Sequence, residues 1–408
     1  MATATESVLF AEMWCVESSS NEARGMKILH VISGLQKAAG TSVFCMELCD
    51  CLQARGVECC VAVRQTQCSD YPSKAGVPVI ETVNDMSGLP FKPDIVHIHA
   101  LWYPFLHRMA VWSKTNRIPI VWSPHGMLAP WAMRHKRWKK CIPWVLYQKR
   151  DLKKSGLIHA TSTEERKWIS DIGLANPCSV VPLGTYPQPC LEKHRGNMSK
   201  RSVLFVGRIY PVKNLDSLIL AFSRLRKTFS NWRLLLVGPD QAGHQRELVI
   251  LAEALGLSVT ICEKLSSTEH ADVVFTGAVF GTEKDLIYRD ADIFVLPSHT
   301  ENFGGVVLDA LAFGIPCVAS KKTPWGELEL EGCGIWTDND MERLEEALRK
   351  MMSLTDEKRR MMGENGRRLV ASKYTWPAIA EQMTSAYKWM FQGGERPRCA
   401  WEEVHADN

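Results

Sequence analysis

Twice along this chain a set of short apolar runs alternates with longer amphipathic stretches, and that alternation leaves few folds open. The first set comprises Lys27–Ile32, Val57–Val63, Asp94–His99, Ile118–Trp122 and Leu157–Ala160. Between the first two runs, Ser33–Gly40 reads as a loop and Thr41–Arg55 as a helix closed by Gly56. The second set comprises Ser202–Val206, Trp232–Val237, Asp272–Thr276, Asp292–Leu296 and Pro316–Ala319. Strands separated by helices of this length predict α/β architecture with parallel, doubly wound sheets. Pro182, Gly184, Pro187, Pro189 and Gly196 stand among polar residues between the two sets. Such a stretch reads as a linker. The boundaries expected are an N-terminal domain over 26–185, a linker over 186–201 and a second domain over 202–375. A C-terminal helix over 376–391 is expected to return toward the first domain. Two such domains would face each other across a cleft, with ligands beyond the carboxyl ends of the strands.

The length of 408 residues suits two domains of ordinary size. With 46% apolar and 23% charged residues, the chain has the composition of a soluble globular protein. A net charge of +4 argues for no nucleic-acid partner, and no recognised nucleic-acid module is present. Residues 1–25 carry Glu6, Glu12, Glu17 and Glu22 without a basic start, which makes a poor signal peptide. They read as a disordered extension, with Met26 a candidate start. No apolar run has the length of a spanning helix. The 14 cysteines are scattered, with no pair of CxxC units at zinc-ribbon spacing. Cys59 and Cys60 are adjacent, and Cys45 and Cys49 lie one helical turn apart. They read as reduced packing residues of a cytoplasmic protein.

The most informative segment runs from Phe294 to Ala319. A strand ends near Pro297, a loop carries Glu301, and a helix begins around Gly304 and holds Asp309. Gly304 and Gly305 lack a β-carbon, so a ligand can approach the backbone there. Free amides at the helix start would face its oxygens, and a carboxylate can accept two hydroxyl hydrogen bonds at once. The plainer alternative is a helix-capping Glu301 and a solvated Asp309. A second pair of interest is Arg208 and Lys213, after a strand and Gly207. Two fixed cations would stabilise the charge that builds on a departing diphosphate. The plain alternative is an ordinary surface loop.

Together these segments resemble the signatures of glycosyltransferase family 4: an acid, seven residues and a second acid within PS-x-x-E-x-F-G, and G-R-x-x-x-x-K. The resemblance covers roughly residues 26–391. It implies a GT-B fold of two Rossmann-like domains and a retaining transfer from a nucleoside-diphosphate sugar, a substrate rather than a cofactor. Within it, Glu301 approaches the donor sugar and Asp309 holds the ribose. Arg208 and Lys213 hold the diphosphate, and Asn302, Phe303, Gly304 and Gly305 line the donor. Two positions depart from the pattern: the second acid is usually Glu, and Asn214 stands where Gly follows the lysine. Asn tolerates positive φ and can cap the next helix.

In the first domain, Ser33–Thr41 is no GxGxxG fingerprint and Val63-Arg64-Gln65 offers no acidic ribose ligand, so a nicotinamide cofactor is not expected. In the resembling family the equivalent loop touches the diphosphate, a role Gly40 would fill. The family's histidine near the reaction centre corresponds to His125, in Trp122-Ser-Pro-His-Gly. His99 also ends a strand and could line the acceptor side. Asp290-Ala-Asp292 is the one close match to a magnesium-binding pair, and it fits a helix-to-strand turn. No metal is expected at the site.

Residues 134–154 contain nine Lys or Arg and one acid, and Trp131, Trp138 and Trp144 are interleaved with the basic residues. Residues 131–154 suit docking at an anionic membrane surface. The alternative is a solvated basic helix with its tryptophans in the core. The run Pro124–Trp131 and Thr323-Pro-Trp-Gly-Glu-Leu328 resemble bacterial members that build surface polysaccharides, such as lipopolysaccharide. That implies a glycan or lipid-linked acceptor and a peripheral cytoplasmic enzyme. Two rivals stay open: a sugar-nucleotide epimerase of the same architecture, and a non-catalytic partner that kept the fold.

Overall fold

The computed structural model describes residues 25–36, 39–64, 73–82, 86–190, 200–262 and 270–401. The 1–25 extension therefore lies outside the described residues save for Gly25, as does 191–199 of the expected linker. The chain divides into two compact units, Met1–Gly184 with Trp376–Asn408, and Thr185–Thr375.

The first unit holds β1 (Lys27–Ile32), β2 (Glu58–Val63), β3 (Val79–Glu81), β4 (Ile95–His99), β5 (Ile120–Ser123), β6 (Leu157–Ala160) and β7 (Cys178–Val180). They are parallel in the order β7-β6-β5-β4-β1-β2-β3, and a late strand, Ala400–Trp401, pairs antiparallel with β7. Strands buried on both faces read as unbroken apolar runs, as the fully buried Ile28, Leu29, Val31, Val96 and Ile98 do here. Helix α1 (Gly40–Ala54) follows β1 and α2 (Pro104–Thr115) follows β4. The order reverses between β1 and β4, which makes their carboxyl ends the switch point of this sheet.

Residues 131–154 are not one helix. They form α3 (Pro130–Arg134), α4 (Arg137–Pro143), a π-helical turn over Trp144–Gln148 and α5 (Lys149–Lys153). Lys136, at φ +50°, breaks the run between α3 and α4. Helix α6 (Thr163–Asp171) is capped by the Ser162 hydroxyl, which accepts from the Glu165 amide.

The second unit carries β8 (Arg201–Val206), β9 (Trp232–Val237), β10 (Val259–Ile261), β11 (Val273–Phe275), β12 (Ile293–Leu296), β13 (Cys317–Ser320) and β14 (Gly334–Thr337). Their order is β10-β11-β9-β8-β12-β13-β14, all parallel, so the switch point lies between β8 and β12. The helices are α7 (Leu215–Leu225), α8 (His244–Ala254), α9 (Gly281–Asp290), α10 (Gly305–Ala312), α11 (Glu327–Leu330), α12 (Met341–Ser353) and α13 (Asp356–Lys373). Residues 185–190 lie along this unit: Thr185 bridges to Thr375, and Arg367 donates to the Gln188 carbonyl at 2.6 Å. Helix α14 (Trp376–Gln392) belongs to the first unit. Its Tyr387 hydroxyl meets His97 Nδ1 at 2.6 Å. Trp376-Pro377 opens this helix, the preceding one having ended at Lys373.

Candidate active site

In the second unit both loops at the switch point carry the expected residues, and backbone bonds join the loops. The His299 amide donates to the Val212 carbonyl at 2.9 Å. Asn214 adopts φ +56° and precedes α7, but its side chain does not cap that helix. Instead Nδ2 donates to the Pro297 carbonyl at 3.2 Å and the Asn339 carbonyl at 2.8 Å. The amide of Asn214 thus ties the β8 loop to the β12 loop, a role that glycine could not fill.

Held this way, Lys213 Nζ lies 2.5 Å from Glu301 Oε1, with both side chains only 14% exposed. Ser298 Oγ donates to the same carboxylate oxygen at 2.7 Å. Glu301 is therefore no helix cap. Arg208 is exposed, and its Nη1 donates to Gln241 Oε1 at 3.0 Å. Asp309 is not merely solvated: Lys284 Nζ of α9 sits 2.8 Å from Oδ2, and the Thr185 hydroxyl lies 3.4 Å from Oδ1. The Asp309 carboxylate holds the Lys284 ammonium above its ordinary range.

The two glycines differ. Gly304 sits at φ +78°, and a β-carbon there would lie 3.0 Å from Leu296 Cδ2 and 3.2 Å from the indole nitrogen of Trp325. Its bareness serves the turn and the packing, not ligand approach. Gly305, the first residue of α10, faces open space. Phe303 is buried against Trp325 and Tyr374, and its carbonyl accepts from Trp325 Nε1 at 2.7 Å. Asn302 is partly buried. Both acids of Asp290-Ala-Asp292 are engaged structurally: Asp290 pairs with Arg289 at 3.1 Å, and Asp292 accepts from the Ser202 amide at 3.0 Å.

The first unit's switch point is lined by imidazoles. His125 sits at φ +51°, followed by Gly126 at φ +75°. The turn is pinned by Glu165, wholly buried, whose Oε1 accepts from the Gly126 amide at 2.5 Å and Oε2 from the Thr161 amide at 2.8 Å. His125 Nε2 lies 3.0 Å from His99 Nδ1, and His99 Nε2 lies 3.0 Å from His30 Nδ1. His99 has no exposed surface, so it backs His125 instead of lining an acceptor surface. Beside this row, His97 Nε2 and His159 Nδ1 each meet Ser123 Oγ at 2.6 Å. Burial pushes His97, His99 and His125 below the ordinary imidazole range, and pushes His159 down to about 4. Gly40 is exposed at the start of α1, with open space about it.

Glu165, Lys284, Ser298, His30, His97 and His159 escaped the sequence reading. A signal existed for the histidines: each interrupts an otherwise apolar buried strand, where an unpaired polar group is costly.

Residues 191–369 match the family described as Glycosyl transferases group 1, and residues 86–188 match Glycosyltransferase Family 4. A D-inositol 3-phosphate glycosyltransferase of Segniliparus rotundus is 30% identical over 48% of this chain and 41% of its own length. A lipopolysaccharide 1,2-N-acetylglucosaminetransferase of Salmonella typhimurium is 27% identical over 52% of this chain and 56% of its own. The match thus spans about half the length of these two relatives. A D-inositol 3-phosphate glycosyltransferase of Gordonia bronchialis is 27% identical over 92% of this chain and 89% of its own. Among solved structures, sucrose-phosphate synthase of Thermosynechococcus elongatus superposes with a TM-score of 0.71 at 19% identity, covering 90% of this chain and all of that one. HepE of Anabaena, solved with UDP and glucose, gives 0.68 at 19% identity over 89% of this chain and 99% of that one.

Proposed function

The chain belongs to the group 1 and family 4 glycosyltransferases of the GT-B type, and from that premise we propose that it moves a sugar from a nucleoside-diphosphate donor to a glycan or lipid-linked glycan with retention of anomeric configuration. The observation that carries the reading is the Lys213–Glu301 pair at the second unit's switch point, with Arg208 exposed on the same loop as Lys213. Such a crevice is where doubly wound sheets bind nucleotides, and UDP and glucose accompany the HepE relative.

In the proposed reaction the bond from the anomeric carbon to the diphosphate breaks with its electron pair leaving on phosphate. The acceptor oxygen bonds on the same face, and its proton passes to the departing phosphate. Arg208 and Lys213 stabilise the charge that builds on that phosphate. They stand in for a cation, so we propose no metal requirement at this step. Glu301 receives hydroxyls of the donor sugar, and holds Lys213 in place until the diphosphate arrives. Asp309 receives the ribose, with Lys284 setting its carboxylate. His125 is assigned to the transferring sugar.

The acceptor class follows from a surface feature. Trp138, Ile142, Val145 and Leu146 are 70%, 64%, 75% and 66% exposed on α4 and the turn after it, among basic residues. Trp131 is also exposed at 42%, so two of the three tryptophans lie outside the core. No helix among the described residues is long and apolar enough to cross a membrane. An apolar face flanked by cations suits an anionic bilayer, and we propose peripheral docking on the cytoplasmic face, where bacterial surface polysaccharides such as lipopolysaccharide are assembled. Co-sedimentation with anionic vesicles at low salt should collapse on Trp138→Ser with Val145→Ser. No binding by the parent chain ends the idea.

The transferase reading is tested by thermal shift with UDP, GDP, ADP and CMP in EDTA. A ligand at about 100 times its dissociation constant adds roughly 2.7 kcal/mol, and Arg208→Ala should abolish that shift and transfer alike. Product anomers read by NMR decide retention. Turnover of the donor without an acceptor would favour an epimerase, and silence with every nucleotide a non-catalytic partner. Activity lost in chelator and restored by magnesium would overturn metal independence.

A further inference from the structure

The cysteines that read as packing residues meet at one point inside the first unit. Cys45 and Cys49 project from one face of α1, and His30 lies on β1 beneath them. One ligating atom from each of the three falls within 4.8 Å of the others, and all three residues are buried. Cys59 of β2, equally buried, reaches both Cys49 and His30.

The imidazoles decide which ligand set is available. His30, His97 and His99 also cluster within 4.8 Å. His97 spends its nitrogens on Tyr387 and Ser123, and His99 spends its own on His30 and His125. His30 Nδ1 faces His99, and the ring's other polar neighbours are the thiols of Cys45 and Cys59, so Nε2 is the imidazole nitrogen left for an ion held among those sulfurs.

We propose that His30 Nε2, Cys45 and Cys49, with Cys59 in the fourth position, form a closed structural zinc site. Three sulfurs and one nitrogen are a donor set of such sites; two thiolates cancel the charge of the ion and the third leaves a single negative charge on the site. The site ties β1, α1 and β2 together and so fixes the loop leading into α1. It also orders the protons behind His125. With Nε2 on metal, His30 carries its proton on Nδ1 and donates to His99 Nε2. His99 then donates from Nδ1 to His125 Nε2, so that His125 bears its own proton on Nδ1. None of this rests on the transferase reading.

The full-length chain, expressed with added zinc and purified without chelator, should hold close to one zinc per chain by mass spectrometry. Cobalt exchange should bring thiolate-to-cobalt charge-transfer absorption. Cys45→Ser with Cys49→Ser should lose the metal, while Cys317→Ser with Cys333→Ser, equally buried thiols of the second unit, should keep it. Should the first double variant not fold, titrating the parent chain with a mercurial should release zinc in step with thiol modification. Zinc below about 0.1 equivalent with no cobalt charge-transfer band, retention of zinc by a folded Cys45/Cys49 variant, or thiol modification without zinc release would overturn the proposal.

Discussion

Both units are parallel sheets whose strand order reverses beside their first strand, and they differ in what they place at that reversal. In the first, the crevice is backed by a row of imidazoles from β1, β4, β6 and the β5 loop; burial holds His97, His99, His125 and His159 neutral, while the Cys45 and Cys59 thiols raise His30 to about 9. In the second it holds two lysine–carboxylate pairs, Lys213–Glu301 and Lys284–Asp309. Fixed charges of opposite sign can receive a polyanion and its hydroxyls with little rearrangement. Buried neutral histidines can pass or orient a proton but add no net charge at neutral pH. One architecture therefore supplies an ionic site and a hydrogen-bonding one.

The sharpest way to break this contrast is Lys213→Ala. On the proposed role of Lys213 at the leaving diphosphate, losing this cation should cut transfer by roughly 10²–10³-fold, with the fold intact by circular dichroism. A smaller loss than that of His125→Ala would place the main electrostatic work in the first unit instead.

Acidification separates the units next. His159 is at about 4 in the folded chain, against about 6.5 unfolded, so the unfolded state binds more protons between those values. Its contribution is fully present above about pH 6.5 and is lost as pH falls toward 4, about 3 kcal/mol in all. Hydrogen exchange resolved by unit should show the first unit opening before the second over that window. Simultaneous opening would refute the contrast.

Gly304→Ala should destabilise the second unit by about 1–2 kcal/mol, because φ +78° strains an L residue. Gly305→Ala meets open space and should leave stability nearly unchanged, so any effect it has on nucleotide binding reports the ligand itself. The smallest effect expected is that of Tyr387→Phe, which leaves His97 Nδ1 without its partner at a cost of about 1 kcal/mol by urea unfolding.

Strands buried on both faces were legible because they are continuous apolar runs: Leu157–Ala160 and Trp232–Val237 were expected at the bounds the structure shows. The short strands β3, β7, β10 and β14 escaped, since three or four residues carry too little pattern to stand out from loops. At the site, Glu301 and Lys213 could be singled out because each sits just past a strand end within a short motif that resembles the family's. Lys284 could not, because it reaches Asp309 from another helix, 25 residues away in sequence. The meeting of His30, Cys45, Cys49 and Cys59 was hidden for a similar reason: only the βαβ turn brings a strand, a helix face and the next strand to one point.

The first unit is assembled from both ends of the chain, and this orders its biosynthesis. Trp376 packs beneath Gly184, Tyr387 anchors His97, and the pairing of Ala400–Trp401 extends the sheet. On a ribosome, where domains generally complete themselves in the order they emerge, the second unit has all of its residues before the first does. Residues 26–184 are therefore made well before α14, the helix that packs on α1 and completes their core.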